Sequence, residues 1–194
     1  MATPEWINDL NALEIRRHRR LWYPFMKKYN CQFVCEIGVF QSQNFGRMME
    51  HNLQVIVGVD AWTECGIPSK NDSGFTQEVL DEQYAHFLDL MKTRPSVQLC
   101  KQWSHEAVVN FPDEYFDLIY IDADHTYEGC KQDLEDWWPK VKSGMFFTGD
   151  DYSRYRAKHT GVVFGVVEAV NEFAKKVGEP IYEISQHGWA IRKP

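Results

Sequence analysis

The stretch Asp117–Glu128 reads DLIYIDADHTYE. An apolar run of this kind is a buried strand, and such a strand normally hands over to Gly, Asn or Ser. Here it ends in Asp122, Ala123, Asp124 and His125. Two carboxylates and an imidazole are unfavourable to crowd together unless something binds among them. The stretch therefore marks a strand and also the place where that strand delivers chemistry.

Working outward, the same pattern recurs. QFVCEIG (Gln32–Gly38), QVIVGVD (Gln54–Asp60), VQLCK (Val97–Lys101) and MFFTG (Met145–Gly149) read as further strands. Between them lie helical segments. SQNFGRMMEHN follows Gly38, and TQEVLDEQYAHFLDLM sets Leu80, Tyr84, Phe87, Leu88 and Met91 at helical spacing. Tyr127, Cys130, Leu134, Trp137 and Val141 repeat that spacing, with Gly144 as the expected stop, and so do Val163, Val166, Val167, Val170 and Phe173. IYEIS, a QHG turn and WAIRK form a C-terminal antiparallel hairpin. Strands alternating with helices imply right-handed crossovers around a mostly parallel sheet covered on both faces.

The 194 residues suit one domain, 1–194, in which 1–30 is an N-terminal helical extension. That extension, a polar helix expected over 5–29, carries RRHRR at Arg16–Arg20; the cluster reads as a solvated face, or as a lid over an anion, and Pro24 kinks the helix. A formal charge of -7 argues against a nucleic-acid partner. No apolar stretch has transmembrane length, and MATPEWINDL lacks a signal-peptide pattern. The five cysteines form no C-x-x-C pair. Cys31, Cys35 and Cys100 lie in or beside strands as small hydrophobes. A reducing cytoplasm is expected, without disulfides or zinc.

In a sheet of this class ligands bind beyond the carboxyl ends of the strands. Gly38, Asp60, Asp122 and Asp150 all fall there. EIGVFQS (Glu36–Ser42) turns from strand to helix through Gly38, which permits close backbone approach; it lacks the further glycines of a dinucleotide fingerprint. Asp60 follows Gly38 by about twenty residues, the spacing of an acid that accepts from ribose hydroxyls. A lone Asp there would otherwise be a cap or turn residue. Asp122, Asp124 and His125, joined by Asp150 and Asp151 of GDDY, form an acidic cluster suited to Mg²⁺. The plainer alternative is that some of them cap helices and the rest are solvated.

With these motifs in hand, the chain resembles the class I S-adenosylmethionine-dependent methyltransferases, within them the small family with EIGVF, IDADHxYEG and GDDY segments, related to metal-dependent O-methyltransferases. The resemblance covers Phe33–Arg192 and rests chiefly on IDADH and GDDY after the fourth and fifth strands. It implies a Rossmann-like, doubly wound, seven-stranded sheet, mostly parallel, with one antiparallel strand from the hairpin. It also implies that Glu36 and Gly38 lie near the methionine end of the cofactor and Asp60 on the ribose. Ala61 and Trp62 would flank the adenosine, with Ser104 and Trp103 near the adenine. Asp122 would serve both the cofactor and, with Asp150 and Asp151, a divalent metal. Ser42 stands where the family usually has Gly.

Methyl transfer to oxygen needs the hydroxyl's proton removed and the oxygen held in line. His125 is the candidate base and Asp122 its companion; a structural His at a helix start is the alternative. The segment 152–160, with Arg154, Arg156, Lys158 and His159, reads as a flap or a plain solvated loop, and residues 62–75 as a second wall. The expected partner is a small hydroxylated acceptor. Trp137 and Trp138 either pack on the sheet or contribute to a homo-oligomer. Two other readings compete: a module that binds the cofactor without turnover, and a nucleotide-dependent oxidoreductase.

Overall fold

The computed structural model describes residues 3–12, 25–41, 43–64, 75–154, 163–184 and 187–194. Seven strands form one sheet: β1 (Phe33–Ile37), β2 (Val55–Asp60), β3 (Val97–Lys101), β4 (Phe116–Ile121), β5 (Val141–Gly149), β6 (Tyr182–Ile184) and β7 (Gly188–Arg192). Their spatial order is β3-β2-β1-β4-β5-β7-β6. β7 runs antiparallel to both β5 and β6, and the pairs from β3 to β5 are parallel. The expected doubly wound sheet with one antiparallel strand is the fold observed.

The sequence makes both faces apolar. Along β4, Leu118 and Tyr120 enter one core, with Phe45, Met48, Trp62 and Phe87. Ile119 and Ile121 enter the other, with Leu134, Trp137, Val170 and Phe173. A strand buried on both sides reads as a continuous apolar run, which is what DLIYI is. The first core is covered by α1 (Glu5–Ala12), α2 (Gln43–Met48) and α3 (Gln77–Met91), the second by α4 (Ser104–Ala107), α5 (Tyr127–Trp137) and α6 (Val166–Val177). Trp6 of α1 meets Phe146 and Tyr182 edge-on, with centroids 5.8 Å and 6.1 Å away.

Several boundaries differ from the sequence reading. The helix expected to continue through Val141 to Gly144 ends at Trp137, followed by a tight turn over Trp138–Lys140. Pro139 sits inside that turn and cannot donate to a continuing helix. Val141 instead starts β5, four residues before the expected Met145. The pairing shifts from Phe116↔Val141 to Leu118↔Phe146, and Gly144, at φ +77°, takes up the slack. Leu88 and Val163, placed on apolar stripes by spacing, are exposed, at 39% and 56%. Of the N-terminal helix, Glu5–Ala12 and a turn at 25–28 are helical. Arg16–Arg20, Pro24, Ser42, Cys65 and Arg156–Thr160 lie outside the described residues. Trp137 is fully buried, and Trp138 packs on Phe147 and Phe173, so both serve the sheet.

Candidate active site

The first residue past each central strand is still bonded to its neighbour. The Gly38 N–H donates to the Val59 carbonyl (2.9 Å), Asp122 to Ile37 (2.8 Å), Asp150 to Ile121 (3.0 Å) and Gln102 to Asp60 (3.1 Å). These bonds hold Gly38, Asp60, Asp122 and Asp150 in one row at the carboxyl edge. The row crosses the β1–β4 boundary, where the winding direction reverses and a cleft forms in such sheets. At Gly38, φ is +88°, and a Cβ would lie 2.0 Å from the Asp122 carbonyl oxygen. Glycine is required there by the adjoining Asp122–Ala123 backbone as well as by the turn.

Asp60 anchors one end of the row. Its carboxylate accepts the Phe40 N–H at 2.9 Å and the Trp62 N–H at 2.7 Å. Both donors have positive φ, 39° and 41°, so the two loops are bent to aim amides at this acid. Burial raises the Asp60 carboxyl above its ordinary range, opposed by the amides of Trp62, Phe40 and Val39. Three amides occupy three of the four lone pairs of the carboxylate, leaving one for a hydroxyl donor. The Trp62 side chain turns into the core. It is fully buried against Tyr84 and Phe87, so its share in the site is its backbone. Ala61, half-buried, stands between them. Glu36 is also fully buried, paired across β1 with Gly58 and Tyr120 rather than lying at the open edge.

Beyond β3, Trp103 is 43% exposed at the start of α4. The hydroxyl of Ser104 donates to Asp133 of α5. Asp133 is buried, and that burial pushes its carboxyl up to about 7; Ser104 opposes the rise, and Asp124 and Asp136 add to it. The sequence reading passed over Asp133. Its signal was present, because Cys130, Asp133, Leu134 and Trp137 share one buried stripe of α5.

At the centre, Nε2 of His125 lies 3.3 Å from Asp122 Oδ1 and 3.0 Å from Asp151 Oδ2. Burial raises the Asp122 carboxyl; His125 lowers it, and Asp150 and Asp151 raise it further. The His125 ring stacks on Phe164, a partner the sequence did not suggest. Asp151 is turned toward the cluster by a positive φ of 55°. Its N–H donates to Asp150 Oδ1 at 2.9 Å. Of the expected trio, Asp122 and Asp151 meet His125 at the centre, and Asp150 stands beside Asp151. Ligand atoms of Asp122, His125 and Asp151 lie within 4.8 Å of one another, whereas buried Asp150 supports Asp151 from behind. Asp124 has the plainer role, accepting the Thr126 N–H at 2.9 Å ahead of α5. Thr126 caps that helix by accepting from the Gly129 N–H.

No curated protein matches the sequence. Solved structures do match in fold. The O-methyltransferase NovP superposes with a TM-score of 0.64 at 16% identity, over 97% of this chain and 79% of that one. An O-methyltransferase from Bacillus cereus in complex with SAH gives 0.58 at 13%, over 100% and 93%. A SAM dependent methyltransferase from Aquifex aeolicus gives 0.56 at 13%, over 95% and 96%. A family model described as a methyltransferase domain matches residues 35–152, from within β1 to just past the Asp150–Asp151 pair. That span is more than half the chain and contains Glu36, Gly38, Asp60, Ser104, Asp122, His125 and both aspartates after β5. The chain belongs to the methyltransferase domain family, the S-adenosylmethionine-dependent class that its motifs resemble.

Proposed function

We propose that this protein transfers a methyl group from S-adenosylmethionine to a hydroxyl oxygen of a small molecule. The observation that carries the reading is the convergence of His125, Asp122 and Asp151 at the carboxyl edge, in the same row as Gly38 and Asp60. S-adenosylmethionine, when bound, supplies an electrophilic methyl on a sulfonium sulfur. Asp60 is suited to hold the ribose hydroxyls, and Gly38 lets the chain pass close to the methionine end. His125 takes the acceptor hydroxyl's proton while Asp122 and Asp151 stabilise the imidazolium that results. The O–C bond forms as the S–C bond breaks, and the proton stays on the imidazole.

A second reading is favoured by the same three groups. Two carboxylates and an imidazole within 4.8 Å fit a divalent cation. The imidazole makes Mn²⁺ as suitable as the Mg²⁺ inferred from the aspartates alone. Asp122, His125 and Asp151 would hold it, and it would supply a lowered pKa to a bound hydroxyl. Nε2 has one lone pair, so His125 cannot serve as ligand and base at once. A single methyltransferase domain over 1–194 with residues 1–30 as a helical extension, a cytoplasmic location and homo-oligomerisation belong to the same proposal. A net charge of -7 speaks against nucleic acid as a partner. Among the described residues no helix is long and apolar enough to cross a membrane.

The test is calorimetric binding of S-adenosylmethionine to wild type and Asp60→Ala, with and without Mg²⁺ and Mn²⁺, followed by an acceptor panel scored for methyl consumption. Micromolar binding lost in the variant and turnover on hydroxylated acceptors are expected. Binding without consumption would reduce the protein to a cofactor-holding module. Turnover unaffected by chelation would leave His125 as base and remove the cation.

A further inference from the structure

We propose that Asp133 is a positioning residue for the base end of the cofactor: through Ser104 it fixes the turn after β3 opposite Asp60. The inference rests on the cofactor lying across Asp60, as in the proposed function. The turn Gln102–Ser104 is tied at two points. Its first residue donates from Gln102 N–H to the Asp60 carbonyl at 3.1 Å. Its last donates from the Ser104 hydroxyl to Asp133. Trp103 lies between the two ties, 43% exposed, and its carbonyl accepts the N–H groups of Glu106 and Ala107. The backbone that carries the exposed ring is therefore held on either side of Trp103.

Among the described residues, the bond from Ser104 is the evident use for a carboxylate at this place. Asp133 is 3% exposed on the buried stripe of α5, among Cys130, Leu134 and Trp137, where an apolar residue would pack without desolvation. α4 is four residues long, too short to hold its own orientation. An external anchor replaces what helix length would provide. Asp60, Gln102, Ser104 and Asp133 thus form a chain of bonds from β2 across β3 to α5.

The experiment measures binding of S-adenosylhomocysteine and of adenosine by calorimetry, with melting temperature recorded for each variant. Asp133→Leu and Ser104→Ala are each expected to weaken both ligands about tenfold. The double variant should be no weaker than the worse single one. Asp133→Asn, which keeps an acceptor for Ser104, should stay within roughly threefold of wild type. Wild-type affinity in a folded Asp133→Leu or Ser104→Ala protein overturns the proposal. So do losses that multiply in the double variant, or an Asn variant as weak as the Leu one. If Asp133→Leu does not fold, Ser104→Ala decides alone. Should wild type bind neither ligand, the cofactor reading itself has failed and the inference falls with it.

Discussion

His125 lies face to face with Phe164, their ring centroids 4.5 Å apart at 21°. The Gly165 N–H donates to the His125 carbonyl at 2.8 Å, and Phe164 is itself buried. The segment leading into α6 therefore fixes both the backbone and the ring plane of His125. Asp122 and Asp151 fix the position of Nε2 along that plane. Phe164→Leu keeps an apolar contact and removes the stacking. It should lower methyl transfer roughly tenfold through misplacement of the base, while S-adenosylhomocysteine affinity stays at the wild-type level. Equal losses in both would show that Phe164 supports the whole edge rather than His125.

Asp60 has two duties that a single substitution separates. Asn at this position keeps the size but has a single acceptor oxygen, leaving the Phe40 or the Trp62 N–H, which bond different oxygens of Asp60, facing an amino group. Asp60→Asn should lose about 1–3 kcal/mol in urea denaturation and at least tenfold in cofactor affinity. A variant with unchanged stability would mean the two amide bonds contribute less than their lengths of 2.9 Å and 2.7 Å suggest.

Asp133 sets a slope of stability with pH. Its carboxyl is raised from the ordinary 3.8 to about 7 in the native state by burial. Below about pH 4 both native and unfolded forms carry the proton, and the group contributes no slope. Between about 4 and 7 the unfolded chain releases it first, so stability falls as pH rises. Above about 7 the loss is complete, at most on the order of 4 kcal/mol. Denaturation at pH 5 and pH 8 should show wild type weakening by more than Asp133→Asn over that interval. Parallel curves would mean that Asp133 ionises in the native state as it does in water.

Asp117 offers a contrast at the opposite edge of the sheet. Its Oδ2 accepts from Gln32 N–H at 2.6 Å and Phe33 N–H at 2.8 Å, and Lys142 Nζ donates to Oδ1 at 2.7 Å. One side chain thus joins the beginnings of β1, β4 and β5. Asp117→Ala should destabilise by about 2–4 kcal/mol and leave cofactor affinity unchanged. A fall in affinity would indicate that strand placement at the amino edge is transmitted to the carboxyl edge.

The elements that could be read from sequence are those whose signal is local. β4 announces itself through FDLIYI, all six residues of which are buried, and the ends of β1, β2 and β4 follow from Gly38, Asp60 and Asp122. The boundary at Val141 was misjudged because Val141 continues the helical spacing of Leu134 and Trp137, and only its pairing with Phe116 makes it a strand residue. Leu88 and Val163 satisfied periodicity yet are left exposed. At the site, Asp122, His125 and Asp151 were legible because they crowd the strand ends. The way His125 reaches both Asp122 and Asp151 was not, because it depends on the positive φ of Asp151 and on Phe164. The burial of the Trp62 ring was hidden for a similar reason: proximity to Asp60 in sequence does not say which way a ring turns. Ser104 was placed correctly after β3, but its partner lies 29 residues away on another helix.

The place of β7 has a consequence for how the molecule is made. It follows β6 in the chain yet lies between β5 and β6 in the sheet. Until residues 188–192 arrive, Tyr182–Ile184 has no strand to pair with, and the edge of β5 is bare along Phe146–Gly149. The sheet cannot therefore close in the order in which it is synthesised. A nascent chain halted before Gly188 carries an open, apolar strand edge of the kind that recruits chaperones or another chain, whereas the strands that build the cofactor side, β1 to β4, are by then already on hand to pair.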